Sequence, residues 1–214
     1  MPAVIFDLDG VLVDSRAAIS GAMNHALAAN GFGERPAEEL YRYIGPPLAS
    51  AFAELTGRPI GSDVVNACLA SYRARYAVTS LTETVVFAGI PEALAAIKRA
   101  HRLAVATSKT KVLAEPLLAA VGLRERFEVV AAPALGAHAE DKATTIGAAL
   151  EALSADGGVM IGDTAFDVAG ARANGLAAIG VTWGIGTADE LAATDAIVEE
   201  PADLPAAVDR LALT

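Results

Sequence analysis

Several short apolar runs constrain the fold of this chain most strongly, because helical patterns lie between the later ones. The runs are Ala3–Leu8, Leu103–Ala106, Val129–Ala132, Val159–Ile161 and Ala177–Val181. The helical patterns are Pro91–Ala100, Val112–Ala120, Ala143–Leu153 and Ala165–Ala173. Short apolar runs are typical of strands buried on both faces, and strands that alternate with helices form parallel sheets. The sequence therefore predicts an α/β fold with a Rossmann-like, doubly wound parallel sheet.

A long helical stretch follows the first run before any further strand is predicted. Ser15 is a suitable N-cap for its first helix, and Gly31 is a suitable stop. The predicted helices are Ser15–Ala28, Pro36–Tyr43, Pro47–Leu55 and Asp63–Ala77. We therefore expect residues 15–82 to form a helical insertion, and residues 1–14 and 83–214 to form the sheet-containing core.

Composition narrows the classes of function. A hydrophobic fraction of 54% in 214 residues predicts a sizeable buried core. The formal net charge is −10 and Lys and Arg form no dense run, which argues against a nucleic-acid polymer as partner. Cys68 is the only cysteine, so an intrachain disulfide is excluded. Because the chain shows neither a secretory signal nor an apolar run long enough to span a bilayer, we expect no membrane association and a cytoplasmic location.

Two carboxylates follow the first apolar run, in Asp7-Leu8-Asp9-Gly10. Side chains alternate along a strand, so Asp7 and Asp9 are able to lean to the same side where the strand ends. Two adjacent carboxylates repel each other unless a cation lies between them, and a hard divalent metal with oxygen ligands is one such cation. The alternative is an ordinary Asp-rich turn after a strand.

Polar groups also follow two later strands, and ligands of open parallel sheets bind beyond the carboxyl ends of the strands. Thr107 and Ser108 offer hydroxyls for an anion, or they simply begin a helix. Asp163 and Asp167 lie about one helical turn apart, so they face one crevice or favour a helix N-terminus. Lys142 opens a helix, where it neutralises a phosphoryl oxygen or pairs at the surface with a neighbouring acid. Together these groups are what phosphoryl transfer needs.

With these motifs in this order, the chain resembles the haloacid dehalogenase superfamily, in its phosphatase branch with a small helical cap. The first motif is Asp7–Ser15, the second is Ala106–Lys109, the third is Lys142 and the fourth is Gly162–Asp167. The segment Tyr43–Leu48 is similar to the cap of phosphoglycolate phosphatase-like members. The resemblance implies that the helical insertion is this cap.

The resemblance also implies roles for the polar groups. Asp7 would be the nucleophile that forms an aspartyl-phosphate. Asp9 would be the general acid for the leaving oxygen and then the base for water. Thr107, Ser108 and Lys142 would hold the phosphate, and Lys142 would thereby take part in catalysis.

A metal cofactor follows from the same resemblance. Mg²⁺ would be bound by the Asp7 carboxylate, the Asp9 backbone carbonyl and Asp163, with Asp167 in direct or water-mediated support. The implied activity is Mg²⁺-dependent hydrolysis of small phosphorylated metabolites, such as phosphoglycolate-like esters or nucleoside monophosphates.

Two other functions are compatible with this resemblance. One is a sugar phosphomutase. Such members of the superfamily typically carry a histidine in the first cap helix, near the position that Ile19 holds here, and the absence of this histidine argues against the mutase. A catalytically silent binding or scaffold protein is the alternative from a different class, and the presence of all the motif acids argues against it. Dehalogenases lack a carboxylate at the position of Asp9, so this residue favours phosphoryl transfer.

The three histidines have no acidic or serine partner at motif spacing. We expect His25, His101 and His138 to be structural. Trp183 follows the last predicted strand, where it lines the site or packs beneath a loop.

Overall fold

The computed structural model describes residues 2–134 and 141–212. The strands, in chain order, are β1 (Ala3–Phe6), β2 (Val13–Asp14), β3 (Val85–Val86), β4 (Arg102–Ala106), β5 (Val129–Ala131), β6 (Gly158–Gly162), β7 (Ala177–Val181) and β8 (Ala196–Val198). The helices are α1 (Arg16–Ala29), α2 (Ala37–Tyr41), α3 (Leu48–Thr56), α4 (Asp63–Thr79), α5 (Ile90–Ile97), α6 (Lys111–Ala120), α7 (Lys142–Leu153), α8 (Ala165–Ala173) and α9 (Leu204–Leu211). None of these helices, among the residues described, is both long and apolar enough to cross a membrane.

The chain divides into two compact units. One comprises Met1–Asp14 and Val85–Thr214 and contains the large sheet, and the other comprises Ser15–Thr84 and is helical. The second junction lies two residues later than the boundary expected from the sequence. A short antiparallel pair of β2 and β3, which the sequence pattern did not predict, brings Val13 opposite Val86 where the chain leaves and re-enters the first unit.

The large sheet has six parallel strands in the order β5-β4-β1-β6-β7-β8. Its strands bury both faces, because alternate side chains belong to two separate hydrophobic clusters. In β1, Val4 and Phe6 pack with α5, α6 and α9, whereas Ala3 and Ile5 pack with α7 and α8. This arrangement confirms the predicted α/β fold with a doubly wound parallel sheet.

The helical unit has a core of its own. Helices α1 and α4 pack against each other, and Met23, Leu27 and Phe52 are fully buried. Phe52 contacts Tyr72 edge to face, with ring centroids 6.1 Å apart. Ser15 precedes α1 as expected, but its buried hydroxyl makes no capping hydrogen bond within the described residues.

Candidate active site

The predicted site residues gather at the carboxyl edge of the sheet. Strands β4, β1 and β6 are neighbours, so the loops that follow them lie side by side. Asp7 and Asp9 follow β1, Thr107 and Ser108 follow β4, and Asp163 follows β6. This is the edge at which open parallel sheets bind ligands.

Three of the predicted acids form a compact cluster. Asp7, Asp163 and Asp167 each offer one carboxylate oxygen, and these three oxygens lie within 4.8 Å of one another. Asp163 and Asp167 are only 1% exposed. Buried carboxylates at this separation repel one another unless cations balance them.

Glycines allow the backbone to pack closely around Asp163. A Cβ atom on Gly10 or on Gly184 would overlap the Asp163 carboxylate, and Gly10 also has a φ of +84°. The Ile185 backbone N–H donates to Asp163 Oδ2 at 2.7 Å. Asp163 Oδ1 is buried and accepts no hydrogen bond from the residues that the structure describes. One oxygen is therefore held by the backbone while the other remains available to a cation.

Asp167 is held by the start of α8. Its Oδ2 accepts hydrogen bonds from the Thr164 backbone N–H at 3.1 Å, the Thr164 hydroxyl at 3.0 Å and the Asp163 backbone N–H at 3.2 Å. The first of these contacts belongs to a capping box, which fixes the side chain relative to the helix. Its Oδ1 lies 2.9 Å from Lys142 Nζ. Asp167 thus joins the helix start to the lysine.

Lys142 is the cation inside the acidic cluster. Its Nζ lies 2.8 Å from Asp7 Oδ1 and donates to the Ala106 carbonyl at 3.2 Å. The lysine side chain is 5% exposed, so it is not a surface residue. Asp141, its neighbour in sequence, instead caps α7 by accepting from Thr144. The other acid next to Lys142 in sequence, Glu140, lies outside the described residues.

Burial and charge shift the pKa values of these groups. Burial raises the pKa of Asp163 to about 8, and the charges of Asp7 and Asp167 add to the rise. Burial also raises the pKa of Asp7 to about 6, although Lys142 opposes the rise. Burial disfavours the charge of Lys142, but Asp167 and Asp7 outweigh it and raise the lysine pKa. The charge of Lys142 is therefore insufficient to keep Asp163 ionised at neutral pH.

Asp9 lies outside the cluster of three acids and has a different partner. Its Oδ2 is 3.0 Å from Lys109 Nζ. Thr107 is buried, and its hydroxyl oxygen accepts from the Lys109 backbone N–H at 3.1 Å. Ser108 is exposed. Lys109 therefore connects the Thr107 hydroxyl with Asp9, whereas Ser108 takes no part in this connection among the described contacts.

The acidic cluster fits a hard divalent cation. Its donor set consists of carboxylate oxygens, which are the ligands that Mg²⁺ prefers in proteins. Asp163 Oδ1 is a buried acceptor to which the described protein donates no hydrogen bond. A divalent cation would satisfy this oxygen and offset the repulsion between Asp7 and Asp163.

The other candidate residues lie outside the site. Trp183 is a packing residue, because its Nε1 donates to the Val11 carbonyl and its ring contacts Phe87 edge to face. His101 is buried and its Nε2 lies 3.0 Å from Asp209, whereas His25 is exposed. His138 lies outside the described residues.

Sequence reasoning missed the supporting residues of the site. Lys109 stood inside the second motif but received no role, and only its pairing with Asp9 reveals one. Gly184 and Ile185 lie in the loop after β7, and their contacts with Asp163 depend on how that loop folds back. The Gly-containing segment after the last predicted strand was the only local signal for them.

Comparison with known proteins connects this geometry to a family. The family model described as haloacid dehalogenase-like hydrolase matches residues 4–181. The chain is 40% identical over 197 residues to a 5′-nucleotidase of Pseudomonas aeruginosa, covering 90% of this chain and 87% of that protein. It is 36% identical over 215 residues to a phosphoglycolate phosphatase of Cupriavidus necator, covering 95% and 91% respectively.

A solved structure shows the same similarity in three dimensions. The crystal structure of a predicted phosphatase from Clostridium acetobutylicum superposes with a TM-score of 0.88 at 30% sequence identity. The match covers 98% of this chain and 99% of that one. The similarity therefore includes both the sheet-containing segments and the helical insertion.

Proposed function

Because the chain belongs to the haloacid dehalogenase-like hydrolase family and is a phosphatase of that family, we propose that it hydrolyses small phosphomonoesters with Mg²⁺ through an aspartyl-phosphate on Asp7. The family resemblance that the motifs predicted is confirmed by the match over residues 4–181. The metal, the intermediate and the substrate class are the parts that we propose.

The observation that carries the proposal is the arrangement of Lys142 and the three clustered acids. Lys142 Nζ lies 2.8 Å from Asp7 and 2.9 Å from Asp167, while Asp163 keeps a buried oxygen to which no described residue donates. A phosphoryl group in transfer carries negative charge on its oxygens, and catalysis consists largely of positioning and neutralising that charge. A site with a buried cation and a place for a second one suits this reaction.

The chain's own residues supply the covalent and proton-transfer steps. The Asp7 carboxylate attacks phosphorus, which forms an Asp7–phosphate bond and breaks the ester P–O bond. Asp9 gives its proton to the leaving oxygen, so an alcohol departs. Asp9 then takes a proton from water, whose oxygen attacks the phosphorus and releases inorganic phosphate and the free Asp7 carboxylate.

The other polar groups bind and orient. Lys142, Thr107 and Ser108 hold the phosphate oxygens in this proposal. Mg²⁺, when held by Asp7, Asp163 and the Asp9 backbone carbonyl with Asp167 in support, would neutralise further phosphate oxygens. Asp167 fixes Lys142 and the start of α8, which keeps the site rigid.

Small phosphate esters are the substrates that the relatives support. Two similar proteins are named as a 5′-nucleotidase and as a phosphoglycolate phosphatase, so both classes of ester are candidates. We propose that the helical unit, Ser15–Thr84, is the cap that selects among them.

A phosphate-release assay tests the proposal. Purified protein is assayed on a panel containing phosphoglycolate, nucleoside monophosphates and 4-nitrophenyl phosphate, with either Mg²⁺ or EDTA. We expect Mg²⁺-dependent release that Asp7→Asn abolishes, because an amide does not form the acyl-phosphate. Circular dichroism of the variant verifies that the fold is kept. Substantial activity of Asp7→Asn, or equal activity in EDTA, would contradict the proposal.

A further inference from the structure

The chain contains a second buried lysine beside a carboxylate of the first motif, and the proposed chemistry leaves it without a role. Lys109 Nζ lies 3.0 Å from Asp9 Oδ2, and the two side chains are 6% and 18% exposed. Lysine is almost never this buried unless it is paired. Ion pairs formed by buried groups restrict side-chain rotation more than pairs between solvated groups do, because water offers them no alternative partner.

The backbone of both partners is fixed independently of the ion pair. Strand β4 pairs with β1 so that Val105 lies opposite Phe6, which places the two following loops side by side. The Lys109 backbone N–H then donates to the Thr107 hydroxyl oxygen. On the other side, the Gly10 backbone N–H donates to the Val13 carbonyl at 2.9 Å. The ion pair therefore joins two anchored loops.

We propose that Lys109 is a positioning residue that holds the Asp9 carboxylate in the orientation that proton transfer requires. This inference rests on the proposed function, in which Asp9 exchanges protons with the leaving oxygen and with water. Proton transfer needs a heavy-atom separation of about 2.6–3.2 Å, and a displacement of about 1 Å is able to cost about 10²-fold in rate. Holding one carboxylate oxygen on Lys109 leaves the other, Oδ1, for the reaction; it accepts no hydrogen bond from the described residues.

The two buried lysines therefore have separate tasks. Lys142 contacts Asp7 and Asp167 and lies among the acids that surround the phosphorus in the proposed reaction. Lys109 contacts Asp9, which lies outside that cluster. Loss of Lys109 should consequently act through Asp9, with substrate binding left intact.

A double-mutant cycle on 4-nitrophenyl phosphate tests this role. The 4-nitrophenolate group departs without a proton, so Asp9→Asn retains a measurable rate on this ester. We expect Lys109→Met to lower kcat about tenfold with unchanged KM in the wild-type background, and less than twofold in the Asp9→Asn background. Lys111→Met, which removes an exposed lysine two residues away, is the matched control for lost charge and should leave kcat unchanged.

Several results would overturn the inference. An equal loss of kcat in both backgrounds would mean that Lys109 acts independently of Asp9, and a higher KM would make it a phosphate ligand. Crystal structures of the wild type and Lys109→Met add a readout that needs no activity: the Asp9 carboxylate should leave its wild-type position, and an unchanged position refutes the inference. Failure of the proposed function is distinct, because it appears as a wild-type protein that hydrolyses none of the esters.

Discussion

Replacing Asp163 with asparagine should make the metal-free protein more stable at neutral pH, although it removes a residue of the active site. Asp163 is 1% exposed, and its Oδ2 accepts from the Ile185 backbone N–H. Asparagine keeps the shape of the side chain and an oxygen for that hydrogen bond. It also removes the need to protonate this carboxyl on folding, which burial and the charges of Asp7 and Asp167 impose at neutral pH.

The magnitude follows from the shifted pKa. Asp163 has a pKa of about 8 in the folded protein against 3.8 without the fold, so the folded state binds more protons between these values. The free energy of unfolding therefore falls as pH rises through this window. At 1.36 kcal/mol per pH unit, ionisation of Asp163 in the unfolded chain lowers the free energy of unfolding of the wild type by on the order of 4 kcal/mol between pH 3.8 and pH 7. The asparagine variant avoids that loss.

Urea unfolding, followed by the fluorescence of the single tryptophan Trp183, measures the difference. In EDTA we expect Asp163→Asn to exceed the wild type by on the order of 4 kcal/mol at pH 7 and by much less at pH 4.5. Mg²⁺ at 100 times its dissociation constant should stabilise the wild type by about 2.7 kcal/mol and the variant hardly at all. Asp189→Asn, at an exposed carboxylate, is the matched control and should match the wild type throughout.

The reasoning is refuted if Asp163→Asn is less stable than the wild type at pH 7 in EDTA. A difference in stability that does not change with pH would also refute it, because the predicted gain comes only from the proton that Asp163 takes up when the protein folds above pH 3.8. Equal stabilisation of both proteins by Mg²⁺ would show that Asp163 is not a metal ligand.

Three further predictions concern other parts of the site and the proposed cap. Lys142→Met should lower the free energy of unfolding by about 3–5 kcal/mol, because the carboxylates of Asp7 and Asp167 lose their partner. The same variant should raise KM and lower kcat, and unchanged kinetics would contradict the role of Lys142. Gly184→Ala should weaken Mg²⁺ binding in a calorimetric titration because its Cβ would displace the Asp163 carboxylate, whereas Gly157→Ala, whose Cβ meets no atom within 4 Å, is the control. Arg42→Ala, which frees Glu54 and the Tyr43 ring in the helical unit, should change the ranking of kcat/KM among esters; a uniform loss on every ester would argue against a role in selection.

Much of the core was predictable from the sequence because its signals are local. The apolar runs that form β1, β4, β5, β6 and β7 are continuous, and such runs are typical of strands buried on both faces. The edge strand β8 was not predicted, because Ala196–Val198 is short and Ile197 remains exposed. The strands β2 and β3 were not predicted either, because each has only two residues and forms only by pairing with the other.

The acids of the site were also predictable, since each directly follows a strand or begins the next helix. Parallel topology brings such positions to one edge of a sheet, and the structure has Asp7, Asp9 and Asp163 at that edge. The residue types and their order along the chain were also sufficient to identify the family.

Only the tertiary structure decided which charges pair. The sequence alone favoured a surface position for Lys142, yet its ammonium group contacts the carboxylates of Asp7 and Asp167. Lys109 had no local pattern that marked it, and the glycines of the Gly184 loop were the only local signal for that loop. Ion pairs and close backbone contacts depend on distances between residues far apart in sequence, and those distances exist only once β4, β1, β6 and β7 have assembled in their order. The sequence by itself was therefore sufficient to predict the fold class and the acids at the edge of the sheet. Only the assembled sheet decided which residues pair with those acids.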